Sequence, residues 1–224
     1  MGIAFFDLDK TILSVNSGSL WVRREMALGH LSKRTALKAM AWLARYHLGF
    51  ASAEAMVAEA VSHLVGTPAA AIKERTERFF VEEVRQTYRP GALEAITQHR
   101  KEGSRLVMLT SSSNYLAELV AQELRFDAVL CNQLEVDARG LHTGQVVGGV
   151  CFGPGKLPFA QAEADRARAS MRESVFYTDS YSDLTVLEAV GGPVAVNPDP
   201  RLRRLALKRG WRTVDWGVPQ AKAA

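Results

Sequence analysis

The sequence predicts a three-layer α/β protein, a parallel sheet covered by helices on both faces, with an all-helical insert near its start. Three observations carry that prediction. From residue 92 onward short apolar runs alternate with helical stretches of ten or so residues, the pattern of right-handed crossovers between parallel strands. An apolar, aromatic-rich run, IAFFDL, stands alone at residues 3–8. Between the two, residues 15–88 offer no convincing strand and almost no proline.

The first run reads as a buried strand that ends on charge. Helical segments follow at roughly 17–29, 32–48, 52–65 and 68–86, with Gly29, Gly49 and Gly66 near the stops. Ser17, Ser32, Ser52 and Thr67 are their expected N-caps, and Thr67 leads into a proline at the first helical position. Arg89-Pro90-Gly91 marks a turn. A helix (92–102) then precedes the strand RLVMLT (105–110), and a second helix (114–124) precedes AVLC (128–131). Stretches around LEVD (134–137) and QVVGGV (145–150), joined by a turn at Gly140, are expected to pair as a hairpin. A helix (156–171) leads to SVFYT (174–178), another (182–189) to PVAV (193–196), and a last one (200–209) to RTVDW. The expected division is a core of residues 1–14 and 89–224 with a helical cap of residues 15–88 inserted.

Polar residues gather where this pattern places the ends of strands. In Phe6-Asp7-Leu8-Asp9-Lys10-Thr11 the two aspartates share a face of an extended backbone and converge beyond the strand. Repulsion is expected to separate their pKa values, leaving one ionised as nucleophile or metal ligand and the other able to donate a proton. Acidic caps on a helix would explain the same pair. Thr110-Ser111-Ser112-Ser113-Asn114 opens a helix with hydroxyls and N–H groups suited to a phosphate, or serves as an ordinary N-cap. Lys156 follows the glycine-rich turn Gly153-Pro154-Gly155. Asp179-Ser180-Tyr181-Ser182-Asp183 is a second acidic pair after a strand, with hard oxygen ligands that suit Mg²⁺.

This order of acidic pair, hydroxyl, lysine and acidic pair resembles the haloacid dehalogenase-like superfamily of phosphohydrolases over the whole chain. DLDKT is similar to its first motif, Thr110 to its second, Lys156 to its third and DSYSD to its fourth. An insert directly after the first motif resembles the phosphoserine-phosphatase-like branch. The resemblance implies a Rossmann-like core and a helical-bundle cap. It implies that Asp7 attacks phosphorus and becomes an aspartyl-phosphate, while Asp9 acts as general acid and then general base. It implies Mg²⁺ held by Asp7, by Asp9 through its main-chain carbonyl and by Asp179. Thr110 and Ser111 would hold phosphate oxygens, Lys156 would screen nucleophile and phosphate, and Asp183 would orient the lysine or a metal-bound water. Two positions depart from the branch. Asn16 stands where phosphoserine phosphatases have a glutamate that contacts the substrate's amino group, which argues against phosphoserine and marks Asn16 as a specificity candidate. Ser182 replaces a common asparagine, and its hydroxyl can still reach a phosphate or a metal-bound water.

The expected function is Mg²⁺-dependent hydrolysis of a small phosphorylated metabolite. Phosphoserine phosphatase proper, a phosphotransferase using the same intermediate, and a non-catalytic phosphate-binding module are the alternatives. Asp9-Lys10-Thr11 also resembles the phosphorylation motif of P-type pumps, but Ile12-Leu13 follow where that motif has Gly-Thr. Dehalogenases of the same fold have no need of the acid at Asp9. With 47% hydrophobic and 23% charged residues the chain has a globular composition, not a disordered or fibrous one. A formal charge of +4 suits anionic small molecules and is weak evidence for nucleic acid. Cys131 and Cys151 are too few for a disulfide framework, no run approaches the roughly 18–20 apolar residues of a membrane span, and a soluble cytoplasmic protein is expected. Trp21, Trp42 and Tyr46 are expected to pack the insert while Arg23, Arg24, Lys33, Arg34, Lys38 and Arg45 stay solvated. The five histidines show no metal-ligand spacing, and the sequence leaves the oligomeric state open.

Overall fold

The computed structural model describes residues 2–35, 37–38, 41 and 52–219. Among these residues seven strands form one sheet: β1 (Ile3–Phe6), β2 (Arg105–Ser113), β3 (Ala128–Val136), β4 (His142–Val147), β5 (Val175–Thr178), β6 (Gly192–Val196) and β7 (Arg212–Val214). Their order is β4-β3-β2-β1-β5-β6-β7, parallel throughout except for β4 against β3. The helices α1 (Ser17–Ala27), α2 (Ala53–Ser62), α3 (Ala69–Phe79), α4 (Pro90–Lys101), α5 (Asn114–Leu124), α6 (Lys156–Arg166), α7 (Leu184–Ala189) and α8 (Pro200–Arg209) surround it.

β1 lies at the centre and faces two cores. Ala4 and Phe6 pack on one side with Ala92 and Ile96 of α4 and Leu116, Ala117 and Val120 of α5. Ile3 and Phe5 pack on the other with Ala160 of α6, Leu187 of α7 and Leu202 of α8. β2 alternates in step, Leu106 and Met108 joining the first core and Val107 and Leu109 the second. A strand covered on both faces is apolar at every position, which is why these runs are continuous. Phe5 and Phe6 are wholly buried, each contributing on the order of 2–3 kcal/mol. The chain leaves β1 for β2 on one side and returns through β5 on the other. This is a topological switch point, where α/β sheets open a crevice at their carboxyl ends.

No strand from the insert joins the sheet among the described residues. The two connections to the core run side by side, with Leu13 bridged to Tyr88, Ser14 N–H donating to the Thr87 carbonyl (2.8 Å) and Arg89 N–H to that of Ile12 (2.8 Å). The insert also touches the core at a third place, the tip of the β3–β4 hairpin. There Gly66 N–H donates to the His142 carbonyl (2.9 Å), His142 N–H to Thr67 (3.0 Å) and Ala69 N–H to Gly140 (2.9 Å). Trp21 packs edge-on against Phe79 at 5.3 Å, and Arg24 pairs with Glu82 and Glu83. The expected helix over 32–48, with Gly49, Trp42, Arg45 and Tyr46, falls largely outside the described residues.

Several boundaries differ from those expected. LEVD is not a separate strand but the end of β3, which runs nine residues and pairs with β4 starting at His142, not at Gln145. Asn16, not Ser17, caps α1 by accepting from Ser19 N–H (2.8 Å). Pro68, not Thr67, stands at the cap of α3, because the Thr67 carbonyl is taken by the hairpin tip. The helix expected over 68–86 ends at Phe79 and continues as a wide turn, Phe80–Val84, and a tight one, Arg85–Thr87. α6 stops at Arg166 rather than 171. No helix among the described residues is long and apolar enough to cross a membrane.

Candidate active site

β1 ends at Phe6, and Asp7 extends its ladder by donating its N–H to the Tyr177 carbonyl of β5 (2.9 Å). This puts Asp7 at the switch point. The chain then turns within Leu8–Ile12, closed by Leu13 N–H to the Leu8 carbonyl at 2.9 Å, and Lys10 takes a left-handed conformation (φ 56°). Asp7 and Asp9 are both extended, as expected, but their carboxylates meet different partners. Asp7 Oδ1 accepts from Lys156 Nζ at 2.8 Å, while Asp9 Oδ1 accepts from Ser17 N–H of α1 at 2.7 Å. Asp9 is therefore held from the segment that follows the first loop, at the start of α1, and Asp7 from the start of α6. Burial pushes the Asp7 carboxyl up to about 7 against the opposing pull of Lys156, with Asp9 a minor contributor. Burial also raises Asp9, against the Ser17 hydrogen bond. Desolvation, not mutual repulsion, dominates both.

Lys156 is fully enclosed at the start of α6 and bridges two carboxylates, Asp7 Oδ1 and Asp183 Oδ2, each at 2.8 Å. Asp183 accepts also from Thr178 Oγ1 (2.8 Å). Burial alone would lower the lysine, but Asp183 and Asp7 together hold it above its ordinary value, so it is a cation. The turn Gly153–Gly155 delivers it. A Cβ on Gly155 would lie 2.3 Å from the Val150 carbonyl oxygen, a backbone atom that cannot swing aside. Gly155→Ala is expected to lose about 1–3 kcal/mol in denaturant unfolding and to displace Lys156.

Asp179 follows β5 and is linked to the first loop through Thr11, whose Oγ1 accepts from Asp179 N–H (3.0 Å) and donates to Asp7 Oδ2 (3.4 Å). Burial, then the Asp7 charge, pushes the Asp179 carboxyl up to about 8. Its carboxylate has no hydrogen-bond or ion-pair partner among the described residues. Two desolvated carboxylates side by side, one of them unpartnered, fit a hard divalent cation. Among the described residues no three His, Cys, Asp or Glu side chains cluster as a ligand set. The candidate donors are accordingly the Asp7 and Asp179 carboxylates with the Asp9 main-chain carbonyl, the Asp9 side chain being engaged elsewhere.

Thr110 is buried where β2 runs beside β1, two residues beyond the pairing of Phe6 with Met108, and its Oγ1 accepts from Ser112 N–H (3.1 Å). Ser111 follows it on the same strand end. Ser182 Oγ shares a hydrogen bond with Ser180 Oγ (2.9 Å). Asn16 spends its side-chain oxygen on capping α1. Three contributors carried no role in the sequence reading. Thr11 closes the DLDKT motif and Thr178 directly precedes Asp179, which is the signal the sequence offers. Asp199 lies well outside the motifs. It donates its N–H to the Asp179 carbonyl (2.8 Å), accepts from Tyr181 N–H (2.7 Å) and caps α8, so it fixes the loop from behind.

A family model described as haloacid dehalogenase-like hydrolase matches residues 4–188. A phosphoserine phosphatase of Mycobacterium tuberculosis is 29% identical over 98% of this chain and 72% of its own length. A histidinol-phosphatase of Neisseria meningitidis is 24% identical over 96% of this chain and 98% of its own. Among solved structures, a protein of unknown function from Bordetella pertussis superposes with a TM-score of 0.86 at 25% identity, covering 96% of this chain and 98% of that one. A phosphoserine phosphatase with a phospho-aspartyl intermediate analogue superposes at 0.68 with 19% identity, covering 93% and 98% of the two chains, a likeness of fold.

Proposed function

The chain belongs to the haloacid dehalogenase-like hydrolase family, and on that premise we propose that it is a Mg²⁺-dependent phosphatase that hydrolyses a small phosphorylated metabolite through an aspartyl-phosphate at Asp7. The observation that carries the reading is the enclosed Lys156 cation spanning Asp7 and Asp183. A buried carboxylate faced by a fixed cation is a nucleophile that an anionic phosphate can approach. Bound Mg²⁺, held by Asp7, Asp179 and the Asp9 carbonyl, would supply further charge neutralisation of the phosphoryl group.

In the first step Asp7 attacks phosphorus, the bond from phosphorus to the ester oxygen breaks, and Asp9 gives that oxygen its proton. Burial moves the Asp9 carboxyl above its ordinary value, the direction that favours a proton donor. In the second step Asp9 takes a proton from water as the water attacks the same phosphorus, freeing phosphate and restoring Asp7. Thr110 and Ser111 hold phosphoryl oxygens, Lys156 stabilises the charge on both partners, and Asp183 with Thr178 keeps the lysine aimed. Asp9 is the residue that separates this chemistry from dehalogenation, which has no leaving oxygen to protonate.

Residues 15–88 act as a cap over this site. Because Ser17 of the cap holds Asp9, a displaced cap releases the acid, so the acid is in register only when the cap is closed. Opening for substrate exchange requires breaking the hydrogen bonds at the hairpin tip as well as motion at the paired connections. The relatives named for phosphoserine and histidinol phosphate define the first substrates to try, and Asn16 in place of a glutamate weakens the case for phosphoserine. A screen of an aryl phosphate, phosphoserine, histidinol phosphate and lipid head-group phosphates is expected to show turnover that EDTA abolishes and Mg²⁺ restores. Asp179→Asn is expected to lose at least ~10²-fold of that turnover at fixed Mg²⁺. Turnover unaffected by chelation would overturn the metal assignment, and phosphoryl transfer to added alcohol in preference to water would make the protein a phosphotransferase.

A further inference from the structure

We propose that Asn132 is a positioning residue that locks the phosphate-binding loop to the lysine-bearing loop, an inference that rests on the phosphatase reading above. The pairing of β2 with β3 shows why one is needed. Leu109 pairs with Leu130, yet the next pair is Ser113 with Asn132. β2 therefore advances four residues while β3 advances two, and the strand bulges across Thr110–Ser112 where the phosphate ligands are expected. A bulge gives up ladder hydrogen bonds, and the backbone groups it frees need other partners if they are buried.

Asn132 is buried in β3 and supplies one such partner, to the Ser111 carbonyl. Its Nδ2 donates to the Ser111 carbonyl at 2.7 Å. Its Oδ1 accepts the Cys151 N–H at 2.9 Å. Both partners are backbone groups of fixed polarity, so the orientation of the amide is determined. The peptide joining Ser111 to Ser112 is thus pinned at both ends, its carbonyl by Asn132 and its N–H by Thr110 Oγ1 at 3.1 Å. On the other side, Cys151 begins the short path through the Gly153–Gly155 turn to Lys156. One side chain thereby sets the spacing between the groups that receive phosphate oxygens and the cation that faces them. Asparagine alone offers a donor and an acceptor at that span; alanine offers neither, and serine is too short to reach both.

The test compares wild type with Asn132→Ala and the milder Asn132→Ser, and with Ile96→Ala, a buried residue of α4 in the core across the sheet from α6, as a control for lost stability. Measured well below each melting temperature with Mg²⁺ present, the inhibition constant for inorganic phosphate is expected to rise about 10-fold in both Asn132 variants. Their kcat/KM for an aryl phosphate is expected to fall about 10–100-fold. Hydrogen exchange at the Cys151 amide is expected to quicken in both, with or without Mg²⁺. Ile96→Ala is expected to keep both constants within about twofold at a comparable loss of melting temperature. If the Asn132 variants bind phosphate as wild type does, or lose no more than Ile96→Ala, the positioning role is overturned while the phosphatase reading stands. A wild-type protein that neither hydrolyses the ester nor binds phosphate overturns both.

Discussion

An Asp7→Asn protein is expected to keep its fold and to turn over substrate at least ~10³-fold more slowly than wild type. Asparagine has the shape of aspartate but a neutral amide that cannot form the acyl-phosphate. The structural cost is small because opposing effects nearly cancel. Lys156 loses one carboxylate but keeps Asp183 at 2.8 Å. Asp179 is relieved of a neighbouring negative charge that raises its pKa. Circular dichroism and melting temperature should therefore stay close to wild type while turnover disappears. The covalent step has its own readout. Acid-quenched wild-type protein should carry one phosphoryl group on the peptide containing Asp7, and the variant should carry none. Substantial turnover by a pure Asp7→Asn protein would remove the nucleophile from the scheme.

The parts of the site that were legible in the sequence are those that depend on one strand end at a time. Asp7, Lys156, Asp179 and Asp183 each follow an apolar run or a glycine-rich turn, and their residue types declare their chemistry. The core strands were legible for a similar reason, since burial on both faces forces an unbroken apolar run. What escaped depends on partners distant in sequence. The bulge in β2 cannot be seen in RLVMLTSSS, because it is a relation between Leu109–Ser113 and Leu130–Asn132. Asn132 accordingly falls between the expected strand AVLC and the stretch LEVD, with no role visible in the sequence. β3 was cut short at Cys131 because its second half alternates polar and apolar residues, facing β4 on an antiparallel edge instead of two helical layers. The cap of α3 shifted to Pro68 for a tertiary reason as well, since the hairpin tip takes the Thr67 carbonyl that an N-cap there would give to the first helical hydrogen bond. Asp9 shows the limit most clearly. Its place in DLDKT was plain, but nothing in the residue pattern points to the N–H of Ser17, eight residues on, as the group that holds it.

Lys156→Met is expected to be the most damaging single change to stability at the site, because methionine fills the space but removes the charge that two buried carboxylates share. Asp7 and Asp183 both lie within 2.8 Å of Nζ. Without it, each must ionise against burial or take up a proton. Breaking a buried ion pair by deleting one partner costs about 3–5 kcal/mol, which for a chain of this size corresponds to a melting temperature lower by about 6–20 °C. Turnover should fall with it, by at least ~10²-fold, since the same cation lets phosphate approach the nucleophile. The two losses are separable. Adding Asp183→Asn removes one of the stranded charges and should recover about half of the lost stability without restoring turnover, a coupling that a double-mutant cycle measures directly. A cycle with no coupling would mean that the carboxylates are balanced by some other group. The lysine would then be a neighbour of the site and not its counter-ion, and the account of how a buried aspartate remains a usable nucleophile would have to be rebuilt around the metal alone.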